Sequence, residues 1–183
     1  MAVAMLRGVN VGGHQKISMA ALRTLCTSLG LRDVQTYIQS GNLVFREDGE
    51  DLVKQAQRLE KAIEAGFGFR PAVIVRTAPE LRKVIAKNPF AGRTGIEPNR
   101  LLVVFMDSAP TKQARDQLLS LPCEPEELRI NGREVYIYYP QGMAHPKVSL
   151  VKIEKTLQCA STGRNWNTVN KLLAMAEELK GSK

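Results

Sequence analysis

Between an apolar run at residues 2–6 and Ser18 lies Arg7-Gly8-Val9-Asn10-Val11-Gly12-Gly13-His14-Gln15-Lys16, the stretch whose residue types could do chemistry. Its glycines allow positive φ and a close approach of backbone to ligand. A helix predicted to start at Ser18 adds the positive end of its dipole and orphan N–H groups. Arg7 and Lys16 flank the loop with positive charge. Together these parts suit an anion, a phosphate or a carboxylate. Gly8 and Gly13 have the GxxxxG spacing of a nucleotide-binding P-loop. His14 and Gln15, however, stand where that motif needs Lys and Ser/Thr, so the metal-binding hydroxyl is missing. The dinucleotide fingerprint is absent too. A plain tight turn between strand and helix is the alternative.

Two further stretches could contribute. Gln39-Ser40-Gly41-Asn42 falls at the tip of a predicted hairpin, where Gln39, Ser40 and Asn42 can either close the turn or offer neutral hydrogen bonds to a sugar or base edge. Arg164-Asn165-Trp166-Asn167 precedes the last predicted helix, with Asn167 in the N-cap role. A cation at a helix N-terminus opposes the dipole unless an anion lies between them, so Arg164 is a second candidate anion contact. Two histidines cannot build a metal cluster, and no HExxH occurs. Tyr136, Tyr138 and Tyr139 occupy both faces of one hairpin, where they can pack or stack on a ring. No nucleophile or acid/base pair stands out, so the residues identify no reaction and no cofactor.

The elements that must position these residues emerge from periodicity. Residues 2–6 form a strand, and Leu22, Leu25, Cys26 and Leu29 mark a helix from Ser18 that Gly30 closes. Residues 33–39 and 43–45 form a hairpin. Leu52, Ala56, Leu59 and Ile63 mark a helix over 50–65, stopped by Gly66 and Gly68. Residues 71–76 form a strand, and Thr77-Ala78-Pro79-Glu80 is a capping box that opens a helix. Residues 88–99, rich in Gly and Pro, read as a linker. The order then repeats. A strand spans 100–106, and a helix opened by Ser108 and Pro110 comes after it. Next is a hairpin with Asn131-Gly132 in a type I′ turn, then a helix over 146–157, a strand over 159–163 and a last helix. Twice βαββαβ plus a helix implies an α+β protein of two ferredoxin-like lobes, residues 1–87 and 100–183. Such an order also raises an RNA-recognition module, but the strands that would stack bases carry only Phe45 as an aromatic.

The chain has 183 residues, 44% hydrophobic and 24% charged, an ordinary soluble composition with no apolar run long enough to span a membrane. Neither a signal peptide nor a CxxC pair is visible, and three dispersed cysteines fit reduced thiols in the cytoplasm. The net charge of +8 is concentrated on the glycine loop and near the C-terminus. No acid precedes Asp33, and between Glu134 and Glu177 the only acid is Glu154. That balance is compatible with a phosphate-bearing small molecule or with nucleic acid as partner.

Residues 6–13, residues 36–45 and the run 164–169 with Lys171-Leu172 closely resemble the domain of unknown function 1697 family, in order and over nearly the whole chain. The resemblance implies an α+β fold of two ferredoxin-like subdomains, in a mostly bacterial family without an established activity. His14 stands where the family often has lysine, and Gly163 where it usually has Thr or Ala.

Overall fold

A computed structural model describes residues 1–47 and 49–181. The chain divides into two compact units, Met1–Arg82 with Lys171–Lys183, and Lys83–Asn170. In the first unit, strand β1 (Ala2–Leu6) leads through the glycine loop to helix α1 (Met19–Ser28). Strands β2 (Arg32–Tyr37) and β3 (Asn42–Arg46), helix α2 (Leu52–Phe67) and strand β4 (Val73–Thr77) come next. Helix α3 (Ala78–Ala86) crosses the division. The second unit holds β5 (Leu101–Met106), α4 (Lys112–Leu119), β6 (Glu127–Asn131), β7 (Glu134–Tyr138), α5 (Leu150–Leu157) and β8 (Ser161–Asn165). The last helix, α6 (Trp166–Gly181), starts there and ends in the first unit.

The protein is α+β, with two antiparallel four-stranded sheets ordered β2-β3-β1-β4 and β6-β7-β5-β8. In the first unit Ala2, Ala4 and Leu6 alternate onto one face and pack with Leu22 and Cys26 of α1 and Leu59 and Ile63 of α2. The equivalent cluster of the second unit joins Val104 and Met106 to Ala114, Leu118, Ile153 and Leu157. β1 is buried at every residue, the reason it reads as a continuous apolar run rather than an alternating one.

The ladders also match in register. Val3 of β1 faces Arg76 of β4, and Val103 of β5 faces Arg164 of β8. Both arginines are buried, and each donates through Nη1 to the carbonyl of the residue before it. A side-chain cap comes directly after each, Thr77 on α3 and Asn165 on α6.

Several boundaries differ from expectation for identifiable reasons. α2 runs through Gly66 and ends at Gly68, which takes the left-handed conformation at φ +77. α4 is capped by Thr111, because the Ser108 hydroxyl donates to Asp107 instead. α5 starts at Leu150 under a Ser149 cap, since the buried Glu126 carboxylate accepts from the amides of Lys147 and Val148 at 2.6 and 3.1 Å and holds that segment out of the helix. In the second hairpin Asn131 pairs with Glu134, so the loop is Gly132-Arg133. Gly132 alone has positive φ there, which fits a type II′ turn rather than I′.

Candidate functional site

The glycine loop is anchored at both ends in the core of its unit. Val9 and Ile17 are buried, while residues 11–16 between them are exposed. Five residues in the loop take positive φ, Gly8, Asn10, Gly12, Gly13 and Gln15. The Asn10 side chain closes it. Its Nδ2 donates to the carbonyl of Ile17 at 2.8 Å, and its Oδ1 accepts from the Ile17 amide at 2.9 Å. The same Nδ2 donates to the carbonyl of Gln39 at 2.8 Å, tying the loop to the β2–β3 hairpin tip. Asn10 therefore shapes the loop.

The hairpin tip docks where β1 ends. The Leu6 amide donates to the Gly41 carbonyl at 2.8 Å. A Cβ at position 41 would lie 2.8 Å from the Leu6 Cβ, so only glycine permits this approach. The Asn42 side chain, fully buried, donates to the Tyr37 carbonyl and the Ser40 hydroxyl. Gln39 remains exposed and Ser40 half-buried. The structure thus brings the loop and the hairpin tip together through Asn10.

On the other side of β1 the chain forms a concavity of about 410 Å³, lined by Arg7, Gly8, Val11, His14, Gln15, Arg70, Pro71 and Ala72. Its volume is in the range of small-ligand sites. The β1–β4 ladder builds it: Leu6 faces Val73, and the Arg7 amide donates to the Ala72 carbonyl at 2.9 Å. The start of the glycine loop is therefore held beside the segment that enters β4. Of the residues singled out from sequence, Arg7 and His14 line this concavity, whereas Asn10, Gly12, Gly13, Lys16, Gln39, Ser40 and Asn42 do not. Gly12 and Gly13 are needed for their positive φ alone, since an added Cβ at either meets nothing within 4 Å.

Arg70 was not legible as a site residue. Its neighbours in sequence carry no motif, and the signal that finds it is topological, the antiparallel pairing of β4 beside β1. The guanidinium donates through Nε and Nη2 to Glu60 Oε2 at 3.3 and 3.1 Å. Glu60 Oε1 accepts from the Val73 amide at 3.0 Å, so one carboxylate on α2 fixes both the start of β4 and the arginine. Arg70 Nη1 lies 3.7 Å from Glu64 Oε2. Two arginines, a histidine and backbone on one wall make a surface for an anion. His14 is the lining residue of general acid/base type. The lining contains no Ser, Thr, Cys or Lys.

Arg164, Asn165 and Asn167 belong to the second unit. Arg164 is a residue of β8 rather than of a loop, 7% exposed, and its Nη1 donates to Thr162 Oγ1 at 2.7 Å and to the Gly163 carbonyl at 2.8 Å. Burial lowers its pKa to about 10. The cap of α6 is Asn165, whose Oδ1 accepts from the Asn167 amide at 3.0 Å while its Nδ2 donates to the Asn99 carbonyl. Asn167 is not the cap. Gly163 admits Leu150, because a Cβ there would stand 3.2 Å from both Leu150 methyls. The hairpin tyrosines pack: Tyr136, Tyr138 and Tyr139 are buried, with the first two hydroxyls donating to the carbonyls of Val84 and Gly95. Among the described residues no cluster of three His, Cys, Asp or Glu could hold a metal, and no helix is long and apolar enough to cross a membrane.

A solved structure described as that of the conserved bacterial protein SP0830 from Streptococcus pneumoniae shares this fold. It is 24% identical, with a TM-score of 0.72, over 96% of this chain and 97% of the other. No curated protein matches. A family described as protein of unknown function (DUF1697) matches residues 1–136, a span that takes in the glycine loop, the hairpin tip and the whole wall of the concavity. The chain belongs to that DUF1697 family.

Proposed function

We propose that this protein binds a small anionic, phosphate-bearing molecule in the concavity between the glycine loop and the segment that enters β4. The observation that carries the proposal is the joint lining by Arg7, Arg70 and His14, on backbone fixed by the Arg7–Ala72 hydrogen bond. Charge and shape have separate sources here. The arginines supply the charge, and Asn10 with the core anchors Val9 and Ile17 supplies a loop that is already organised before a ligand arrives. Each unit is on this view a ferredoxin-like lobe, which the strand orders β2-β3-β1-β4 and β6-β7-β5-β8 support.

The test is a thermal-unfolding titration of the full chain with inorganic phosphate, with short RNA in parallel, at low and high chloride. Ligand at ~100 times its dissociation constant adds about 2.7 kcal/mol. A phosphate-dependent rise in midpoint at both salt concentrations, abolished in Arg7→Ala, is the expected result. No rise with phosphate at any concentration sinks the proposal. A rise only with RNA that vanishes in high salt would instead indicate binding of nucleic acid to the basic surface.

A further inference from the structure

We infer that Arg70 is the second prong of an anion clamp that takes a phosphate monoester, and that Glu64 is a built-in competitor that the arriving anion displaces. This rests on the anion-binding reading above.

Arg70 is held from one side. Glu60 engages its Nε–Nη2 edge, and Glu60 is itself fixed by the Val73 amide. The guanidinium is thereby oriented without a contact that a ligand must break. Nη1 points elsewhere, toward Glu64 Oε2 at 3.7 Å, beyond hydrogen-bond distance. Glu64 is 55% exposed and Arg70 42%, the setting in which an ion pair contributes little and exchanges readily. An arriving anion can replace Glu64 at Nη1 and leave the Glu60 bonds in place.

Every anion pays for this replacement, and the ligands differ in what they gain by it. Glu64 already presents one carboxylate to this guanidinium at the high effective concentration of a tethered group. A carboxylate ligand brings the same charge and the same acceptor geometry, and gains little by exchange. A phosphate monoester brings a charge of about −1.5 to −2 and three acceptor oxygens, enough to meet Nη1 of Arg70 and the Arg7 guanidinium together. Val11, Pro71 and Ala72 in the lining suit a compact apolar body on the ester oxygen.

The experiment titrates the full chain with phenyl phosphate and with benzoate by calorimetry at fixed chloride. In wild type, phenyl phosphate should bind at least about tenfold more tightly than benzoate, because its greater charge and third acceptor oxygen gain more at the two arginines. Glu64→Gln should tighten both ligands, benzoate by about two- to fivefold, the range of an exposed ion pair, and phenyl phosphate by at least as much. Glu97→Gln removes an equal charge from the second unit and should leave both affinities unchanged. Arg70→Gln should weaken phenyl phosphate by about tenfold or more. Its circular dichroism verifies the fold, and if that variant does not fold, Glu64→Gln decides alone. Phosphate binding that disappears in Arg7→Ala but is unmoved in Arg70→Gln and Glu64→Gln overturns the clamp and leaves the anion site standing. Absence of phosphate binding in wild type overturns the site itself. A Glu64→Gln gain no larger than that of Glu97→Gln reduces the effect to net charge and also overturns the inference.

Discussion

Gly41 and Gly12 both have positive φ, at +71 and +60, yet they carry different burdens. At Gly12 an added Cβ meets open space, whereas at Gly41 it would lie 2.8 Å from the Leu6 Cβ and 3.3 Å from the Val9 Cβ. Left-handed backbone costs a non-glycine residue roughly 1–2 kcal/mol, and overfilling a packed site adds about 1–3. Gly12→Ala is therefore expected to lose about 1 kcal/mol and Gly41→Ala about 2–4, read from urea midpoints at unchanged m. Equal losses would show that the hairpin tip does not press on β1. Residue chemistry in the sequence singled out the glycine loop, but not the groups that its side chains engage. An amide such as Asn10 reads naturally as a ligand contact, because one of its two acceptors, the Gln39 carbonyl, is 29 residues away. Arg164 misled for a related reason. A guanidinium before a helix suggests an anion, while this one lies in a strand and donates to its own neighbours.

Elements were legible where local signals agreed and lost where a distant group decided. The capping box at Thr77 and Glu80 forms as its residues predict, with each backbone amide bonded to the other's side chain at 2.8 and 3.2 Å. Ser18 caps α1 as expected, accepting from the Ala21 amide. Pro146 does not open α5, and no local signal could have shown why, since the Glu126 carboxylate that holds residues 147 and 148 comes from another part of the chain. At α6 the sequence places the cap at Asn167, and the structure assigns it to Asn165. Removing a side-chain cap costs about 0.5–2 kcal/mol, so Asn165→Ala should destabilise by that amount, and more if loss of the Asn99 contact counts. Asn167→Ala should be within about 0.5 kcal/mol of wild type, as for exposed positions without such a role. Chemical denaturation of the two variants separates the assignments, and the reverse order would return the cap to Asn167.

At the scale of the whole molecule, the duplication is visible in backbone register and not in sequence. Arg76 and Arg164 share little local context in the chain, yet each faces a valine at the same rung of its ladder. Core positions rather than motifs carry the repeat, and core positions tolerate exchange among apolar residues. Burying polar groups in such cores leaves a mark on stability at alkaline pH. Burial pushes the Cys26 thiol up from its ordinary 9.0 to about 12. Below pH 9 the thiol keeps its proton whether folded or not. As pH rises toward 12 the unfolded chain releases that proton and the native chain retains it, so the native state binds more protons and stability falls. Tyr136 and Tyr139 are raised above their ordinary 10.0, by burial first and then by Glu134 and Glu126 respectively, and they steepen the fall above pH 10. Arg164 acts in the opposite sense. Its native pKa of about 10 is below its ordinary 12.5, so the native state loses that proton first and part of the loss is offset over that range. The window from pH 9 to 10 consequently belongs chiefly to Cys26. Stability there should decline with a slope approaching about 1.4 kcal/mol per pH unit. Cys26→Ala should start from a lower stability and lose most of that slope, measured as denaturation free energy at half-unit steps. Parallel wild-type and Cys26→Ala curves through the window would place the lost proton on another group, and would mean that the thiol is hydrated as the protein reaches pH 9.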